Sequence, residues 1–225
     1  MGIINPFKKE IDKKTVQYTK ALPKNLLLIF TRNPELGKCK TRLAATIGKQ
    51  SALDIYKFLL QHTANISAKL NTVKQVWYSE EIWRNDIWNN SVFDKKLQEG
   101  EDLGVRMANA FTEGFAAGFE KICVIGSDMH DLEQVDLEDA FEGLNDSDYV
   151  IGGAEDGGYY LLGMKKFNTD LFQNKNWGTE TVLEATMSDL KNEKVHLLDV
   201  RNDIDVYEDI AQNKAFEPFL KHIRK

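Results

Sequence analysis

The sequence predicts an α/β protein, built on a mostly parallel sheet with helices on both faces. Two continuous apolar runs, residues 26–30 and 122–125, are bounded by turn residues, the pattern of strands buried on both faces. Segments of helical period stand between such runs along the chain. That alternation makes crossover units, and crossover units make parallel sheets. No repeat, low-complexity tract or linker divides the chain, so residues 25–225 read as a single domain after an N-terminal arm over 1–24 that ends near Pro23.

The run 26–30 opens the sheet, and residues 31–42 form a loop punctuated by Pro34 and Gly37. Residues 51–70 carry Leu53, Tyr56, Leu60 and Ala64 at helical spacing, which predicts an amphipathic helix. Residues 73–79 alternate as a strand, and 103–119 place Leu103, Met107, Ala110, Phe111, Phe115 and Phe119 along one helical face. After the run 122–125 come a helix over 135–144, a strand from Tyr149 and a strand over 159–164. Thr181 with Glu184 has the form of a capping box that starts a helix. A strand over 195–200 and a helix over 207–223 complete the chain.

Composition narrows the function. A formal charge of -6 on 225 residues excludes a general nucleic-acid binder, which needs a basic face, while leaving room for a local anion site. No apolar run is long enough to span a bilayer, and the charged N-terminal stretch lacks a signal-peptide core. Cys39 and Cys123 make neither a disulfide framework nor a zinc pattern, which points to a reducing cytoplasm.

Substrates of such sheets bind at the carboxyl ends of the strands, which directs attention to the residues just past each buried run. After the first come Arg32, Lys38, Lys40 and Arg42 around Gly37. These are either a seat for a pyrophosphate or a solvated loop. The loop has neither the Walker A nor the dinucleotide glycine pattern. After the second comes Asp128, which core packing does not explain; it is either a ligand for Mg²⁺ or Mn²⁺ or a turn aspartate.

Further along, residues 152–163 hold paired glycines around Glu155 and Asp156, suited to a close ligand approach or to a hairpin turn. Trp177 precedes a helix start, and either packs on the core or stacks on a ring. Asp205 stands in an acidic cluster, available to a metal or as the cap of the last helix with Glu208 as its box partner.

Taken together and in order, these segments resemble the bacterial GT-A-fold glycosyltransferase-like proteins of the arsenosugar-biosynthesis and radical-SAM/selenodomain-associated type. The residues carrying the resemblance are 30–34 (FTRNP), 37–43 (GKCKTRL), 103–107 (LGVRM), 126–128 (GSD), 154–163 (AEDGGYYLLG), 177–179 (WGT), and Asp205 with Glu208 and Asp209.

The resemblance implies a Rossmann-like nucleotide-diphospho-sugar transferase fold. It implies Arg32, Lys38 and Arg42 near the nucleotide phosphates, and a Mg²⁺ or Mn²⁺ ion on Asp128 with Asp205 as the matching late aspartate. Asp156, Gly157, Gly158 and Tyr159 would border the sugar or acceptor pocket; a carboxylate near the acceptor can act as general base, and Asp156 is the best candidate, with Trp177 a candidate to stack on a bound ring. The family carries proline two residues after its aspartate, where this chain has His130. His130 reads as a neutral replacement, with a further ligand or a substrate contact as the alternatives.

The expected activity is sugar transfer from a nucleotide-diphosphate donor to a small acceptor. Nucleotidyl transfer from a nucleoside triphosphate to a phosphorylated small molecule is the alternative, and a non-catalytic nucleotide-binding module is the third.

Overall fold

The computed structural model describes residues 24–221. The arm expected over 1–24 therefore lies outside the described residues, Lys24 excepted. Among the described residues seven strands form one sheet: β1 (Asn25–Thr31), β2 (Val73–Tyr78), β3 (Asp94–Leu97), β4 (Lys121–Ile125), β5 (Tyr149–Ala154), β6 (Tyr159–Met164) and β7 (Val195–Arg201). Their spatial order is β3-β2-β1-β4-β6-β5-β7. Every neighbouring pair is parallel except those made by β6, which runs antiparallel to both β4 and β5. The hairpin at residues 155–158 turns the chain back and makes this one reversal, as the Asp156-Gly157 turn signal predicts.

The period-2 geometry of a strand divides β1 between two cores. Leu27 and Ile29 pack with Tyr56, Leu60, Leu137 and Phe141, from α2 (Lys49–Ala68) and α4 (Gln134–Asp146). Leu26 and Leu28 face the other way, onto Met107, Ala110 and Phe111 of α3 (Leu103–Ala116). The apolar run thus has the meaning expected of it, with both faces covered. Burial of Cys123 in this double core pushes its thiol well above the ordinary range.

A third cluster joins the second face of α2 to α1 (Thr41–Ile47) and the C-terminal segment, through Leu43, Ile55, Leu59, Ile210 and Phe216. It ties the loop after β1 to the end of the chain. Among the described residues no helix is long and apolar enough to cross a membrane.

Several element expectations are corrected. The short strand β3 is one that the sequence pattern does not announce; its four residues are DKKL and form an edge, without the apolar alternation that marks a strand. Thr181 precedes α5 (Val182–Asp189) but makes no capping bond: its backbone is helical, at φ -93° and ψ -5°, where a capping residue is extended, and its hydroxyl lies 2.9 Å from Thr179 Oγ1. The closing helix is broken into α6 (Tyr207–Ala211), a 3-10 turn and α7 (Glu217–Leu220). Pro218 near the start of α7 explains part of the break, since proline suits a first helical turn but not an interior.

The cap of α6 also differs from expectation. Asp209, not Glu208, accepts from the N–H groups of Asp205 and Val206, each at 2.7 Å. That service by Asp209 leaves the Asp205 side chain to face the site.

Candidate functional site

A cleft of about 720 Å³ opens at the carboxyl ends of β1, β2 and β4, bordered by Thr31, Arg32, Lys40, Arg42, Ser127, Asp128 and Asp205. Its far wall holds Ser79, Glu80, Gln98, Asp102 and Arg106. The position agrees with the rule that open α/β sheets bind at their carboxyl ends.

The floor is built by short polar links among the ends of β1 and β4 and helix α2. Ser127 donates to Thr31 at 3.1 Å, and the Tyr56 hydroxyl accepts from the Arg32 N–H at 2.9 Å. Burial, then the charge of Asp128, raises the Tyr56 pKa, so the phenol stays neutral. Buried Asn33 fixes the rim: its amide donates to Glu81 O at 2.8 Å, and its carbonyl accepts from Glu80 N and Glu81 N.

At the centre lies Lys40. Its side chain is 5% exposed, and Nζ stands 2.9 Å from Asp128 and 3.8 Å from Asp205. Burial alone would lower its pKa, but Asp128, then Asp205 and Asp203, outweigh that and raise it, so the lysine stays charged. Arg42, 75% exposed, pairs with the second oxygen of Asp205. Asp203 is pushed up to about 6, by burial first and then by Asp156, Asp128 and Asp205. Three carboxylates, Asp128, Asp205 and Asp203, therefore act on one buried ammonium, and Asp156 acts on Asp203 from the neighbouring turn.

Lys40 also has a left-handed backbone, at φ 47° and ψ 48°, just before α1. Such a conformation is uncommon for lysine, and costs of order 1–2 kcal/mol in a non-glycine residue.

The expected site residues divide accordingly. Arg32, Lys38 and Arg42 line the cleft, but Lys38 is already paired with Glu35 at 2.9 Å and with Glu80 of the cleft wall at 3.2 Å. In the sequence Lys40 is one of four similar loop cations, and Asp203 has no distinguishing mark. Spacing does not reveal that Lys40 alone turns inward, although its place between Cys39 and the helix containing Leu43, both buried, is a signal.

Asp128 and Asp205 meet around the ammonium of Lys40, and carboxylate oxygens are the donors that Mg²⁺ and Mn²⁺ prefer. Among the described residues no three His, Cys, Asp or Glu side chains group closely enough to hold a metal by themselves. A metal here would draw further oxygen from substrate phosphates, as Mg²⁺ commonly does.

Beside this cleft is a smaller cavity of about 230 Å³, which holds Asp156, Gly158, Tyr159 and Trp177. Phe30 and Leu103 border both spaces. Tyr159 and Trp177 meet edge to face, with centroids 6.5 Å apart. Asp156 does serve the turn, accepting from the Gly158 N–H at 2.9 Å. Gly157 has φ +85°, and a Cβ there would come within 2.2 Å of the Glu180 carbonyl oxygen. Gly157 thus shapes the wall instead of lining the cavity.

His130 belongs to a separate aromatic group, with ring centroids 4.9 Å from Phe216, 5.5 Å from His62 and 5.6 Å from Phe58. Burial, then His62, lowers its pKa, so at neutral pH it packs as an uncharged ring. This arrangement suits the neutral replacement.

Comparison with known proteins agrees with this architecture. A protein from Desulfovibrio desulfuricans G20, assigned as a nucleotide-diphospho-sugar transferase, superposes with a TM-score of 0.79 at 27% identity, over 90% of this chain and 96% of that one. A cytidylyltransferase from Leptospira borgpetersenii serovar Hardjo-bovis (strain JB197) has a TM-score of 0.54 at 14% identity, covering 90% and 94%. CMP:2-keto-3-deoxy-manno-octonic acid synthetase, in complex with CTP, has a TM-score of 0.51 at 12% identity, covering 85% and 97%. These likenesses establish the nucleotide-diphospho-sugar transferase fold. No curated protein matches the chain. The model of the family described as "Uncharacterized protein conserved in bacteria (DUF2064)" matches residues 62–179, and the chain belongs to that family.

Proposed function

We propose that this protein is a metal-dependent glycosyltransferase, moving a sugar from a nucleotide-diphosphate donor to a small acceptor. One observation carries the reading: Lys40, Arg42, Asp128 and Asp205 converge in a large cleft at the strand ends, next to a smaller cavity bearing Asp156. The similarity to the Desulfovibrio protein supports it, as do the motifs of the arsenosugar and radical-SAM/selenodomain-associated type. The two buried, free cysteines suit a cytoplasmic setting.

In this reading the nucleoside lies toward Ser79, Gln98 and Arg106, and its diphosphate toward Arg42 and Lys40. Arginine offers a planar fork to phosphate oxygens, and lysine a point charge. Both oppose the charge that develops on the leaving diphosphate, which lowers the barrier. Asp128 and Asp205 would hold Mg²⁺ or Mn²⁺, which supplies further Lewis-acid stabilisation of that charge when bound. Asp156 takes the proton from the acceptor as general base.

Nucleotidyl transfer is the second reading, favoured by the cationic loop itself, whose Arg32, Lys38, Lys40 and Arg42 would suit a triphosphate equally. Product analysis separates the two. Incubation with a panel of nucleotide sugars and Mn²⁺ is expected to release nucleoside diphosphate. Pyrophosphate from nucleoside triphosphates, with no diphosphate from nucleotide sugars, would overturn the leading reading.

A further inference from the structure

The smaller cavity carries information about the acceptor. Met107, Val124, Ile125, Tyr159, Trp177 and Val182, with Phe30 and Leu103 at the border, give it a largely apolar wall. Its carboxylate is Asp156, and its side-chain hydroxyls come from Thr179, Tyr159 and Tyr160. The Tyr160 hydroxyl is already donating to Asp199 O at 2.9 Å, and that of Thr179 to Asn176 O at 2.8 Å. Tyr159 has only the weak sulfur acceptor of Met107, at 3.8 Å.

A sugar acceptor has a hydroxyl on nearly every carbon, and each one desolvated without a partner costs about 1–3 kcal/mol. With these donors in use, the wall offers few side-chain donors to a ligand with many hydroxyls. An apolar body suits it, because burying it against Trp177 and Val182 removes apolar surface from water without orphaning polar groups. The edge-to-face pair of Tyr159 and Trp177 adds a preference for a flat ring, since aromatic rings pack favourably in offset and edge-on arrangements. At about 230 Å³ the cavity is smaller than drug-sized pockets, which start near 300 Å³. Its size matches one ring with a short side chain better than a whole nucleotide.

Trp177 owes its seat to Gly104, where any Cβ would lie 2.5 Å from the indole nitrogen. The aromatic wall is therefore built into the packing of α3.

We propose that this cavity is the acceptor subsite, and that the acceptor is a small aromatic alcohol whose hydroxyl faces Asp156. The inference rests on the glycosyltransferase reading. In the reaction the hydroxyl oxygen bonds to the anomeric carbon of the donor sugar, and the bond from that carbon to the diphosphate oxygen breaks. The diphosphate leaves with the electron pair, and Asp156 receives the hydroxyl proton. The products are an aryl-alkyl glycoside or phenolic glycoside, and a nucleoside diphosphate.

Calorimetric titration of the full-length protein with 4-methylphenol and 2-phenylethanol, against glucose and glycerol, tests the subsite. The aryl alcohols are expected to bind saturably and at least tenfold tighter than the polyols. Thr179→Trp, an exposed position at the mouth, should weaken aryl alcohol binding at least tenfold and leave nucleoside diphosphate binding unchanged. Polyols that bind as well as aryl alcohols would overturn the assignment, as would aryl alcohol binding indifferent to Thr179→Trp. Failure of the wild-type protein to bind nucleoside diphosphate would instead defeat the transferase reading, so the two failures are distinct.

Discussion

The ammonium of Lys40 stands 2.9 Å from the carboxylate of Asp128, and the lysine that makes this contact has a left-handed backbone. The charge and the strain sit in the same residue, and two substitutions separate them. Lys40→Ala loses the ion pair and keeps the strain; Lys40→Gly loses the ion pair and relieves it. Both variants should be less stable than wild type, with Lys40→Gly the more stable of the two by about 1 kcal/mol. Thermal melts would show this as a difference of about 2–4 °C. Equal melting temperatures would mean that the left-handed conformation costs nothing here.

The raised pKa of Asp203 gives the metal-free protein a pH dependence with a definite sign. Its folded value is about 6, against an ordinary 3.8, so between those values the folded state binds more protons than the unfolded chain. Stability from this group is full below about pH 4 and declines as pH rises through 6. Asp203→Asn should flatten that decline and stabilise the protein at pH 7.5, by no more than about 2 kcal/mol given solvent screening. Denaturant melts at pH 5 and pH 7.5 on both proteins provide the comparison.

Gly157→Ala should damage the hairpin that reverses β6. It places a side chain at φ +85° and against the backbone of Glu180, neither of which can adjust cheaply. A loss of about 2–4 kcal/mol is expected. That would appear as a fall in melting temperature of roughly 5–15 °C. Gly158→Ala should be much milder, because its Cβ would meet only the tip of Asp156 at 3.1 Å.

Gly104→Ala should displace Trp177 and narrow the smaller cavity. The added carbon would also meet the Phe172 carbonyl at 2.6 Å, so some stability is lost as well. A changed tryptophan emission, together with weaker aryl alcohol binding and nearly unchanged nucleotide binding, is the expected signature.

Much of this architecture is legible in the sequence, for reasons that particular residues make plain. The runs at 26–30 and 122–125 have no polar residue to place in water, so they have to be central strands. Asp156-Gly157 has to turn, because glycine is the residue that tolerates φ +85° at no steric cost. The edge strand β3 is not legible, since it has no apolar alternation and its Lys95 and Lys96 are held by ion pairs with Asp86 and Glu113, outside the strand. The same is true of the site's centre. Lys38, Lys40 and Arg42 alternate along the loop and look equivalent in one dimension. Only the left-handed turn at Lys40 and the approach of Asp205, 165 positions later, decide which of them is buried.

The central claim is that Asp128 and Asp205 hold a divalent ion together with a nucleoside diphosphate. Calorimetric titration of nucleoside diphosphates into wild type and Asp128→Ala, with and without Mn²⁺, tests it most directly. The account predicts at least tenfold tighter binding with Mn²⁺ in the wild type, and no Mn²⁺ effect in Asp128→Ala. An equal Mn²⁺ enhancement in both proteins, or none in the wild type, would contradict it.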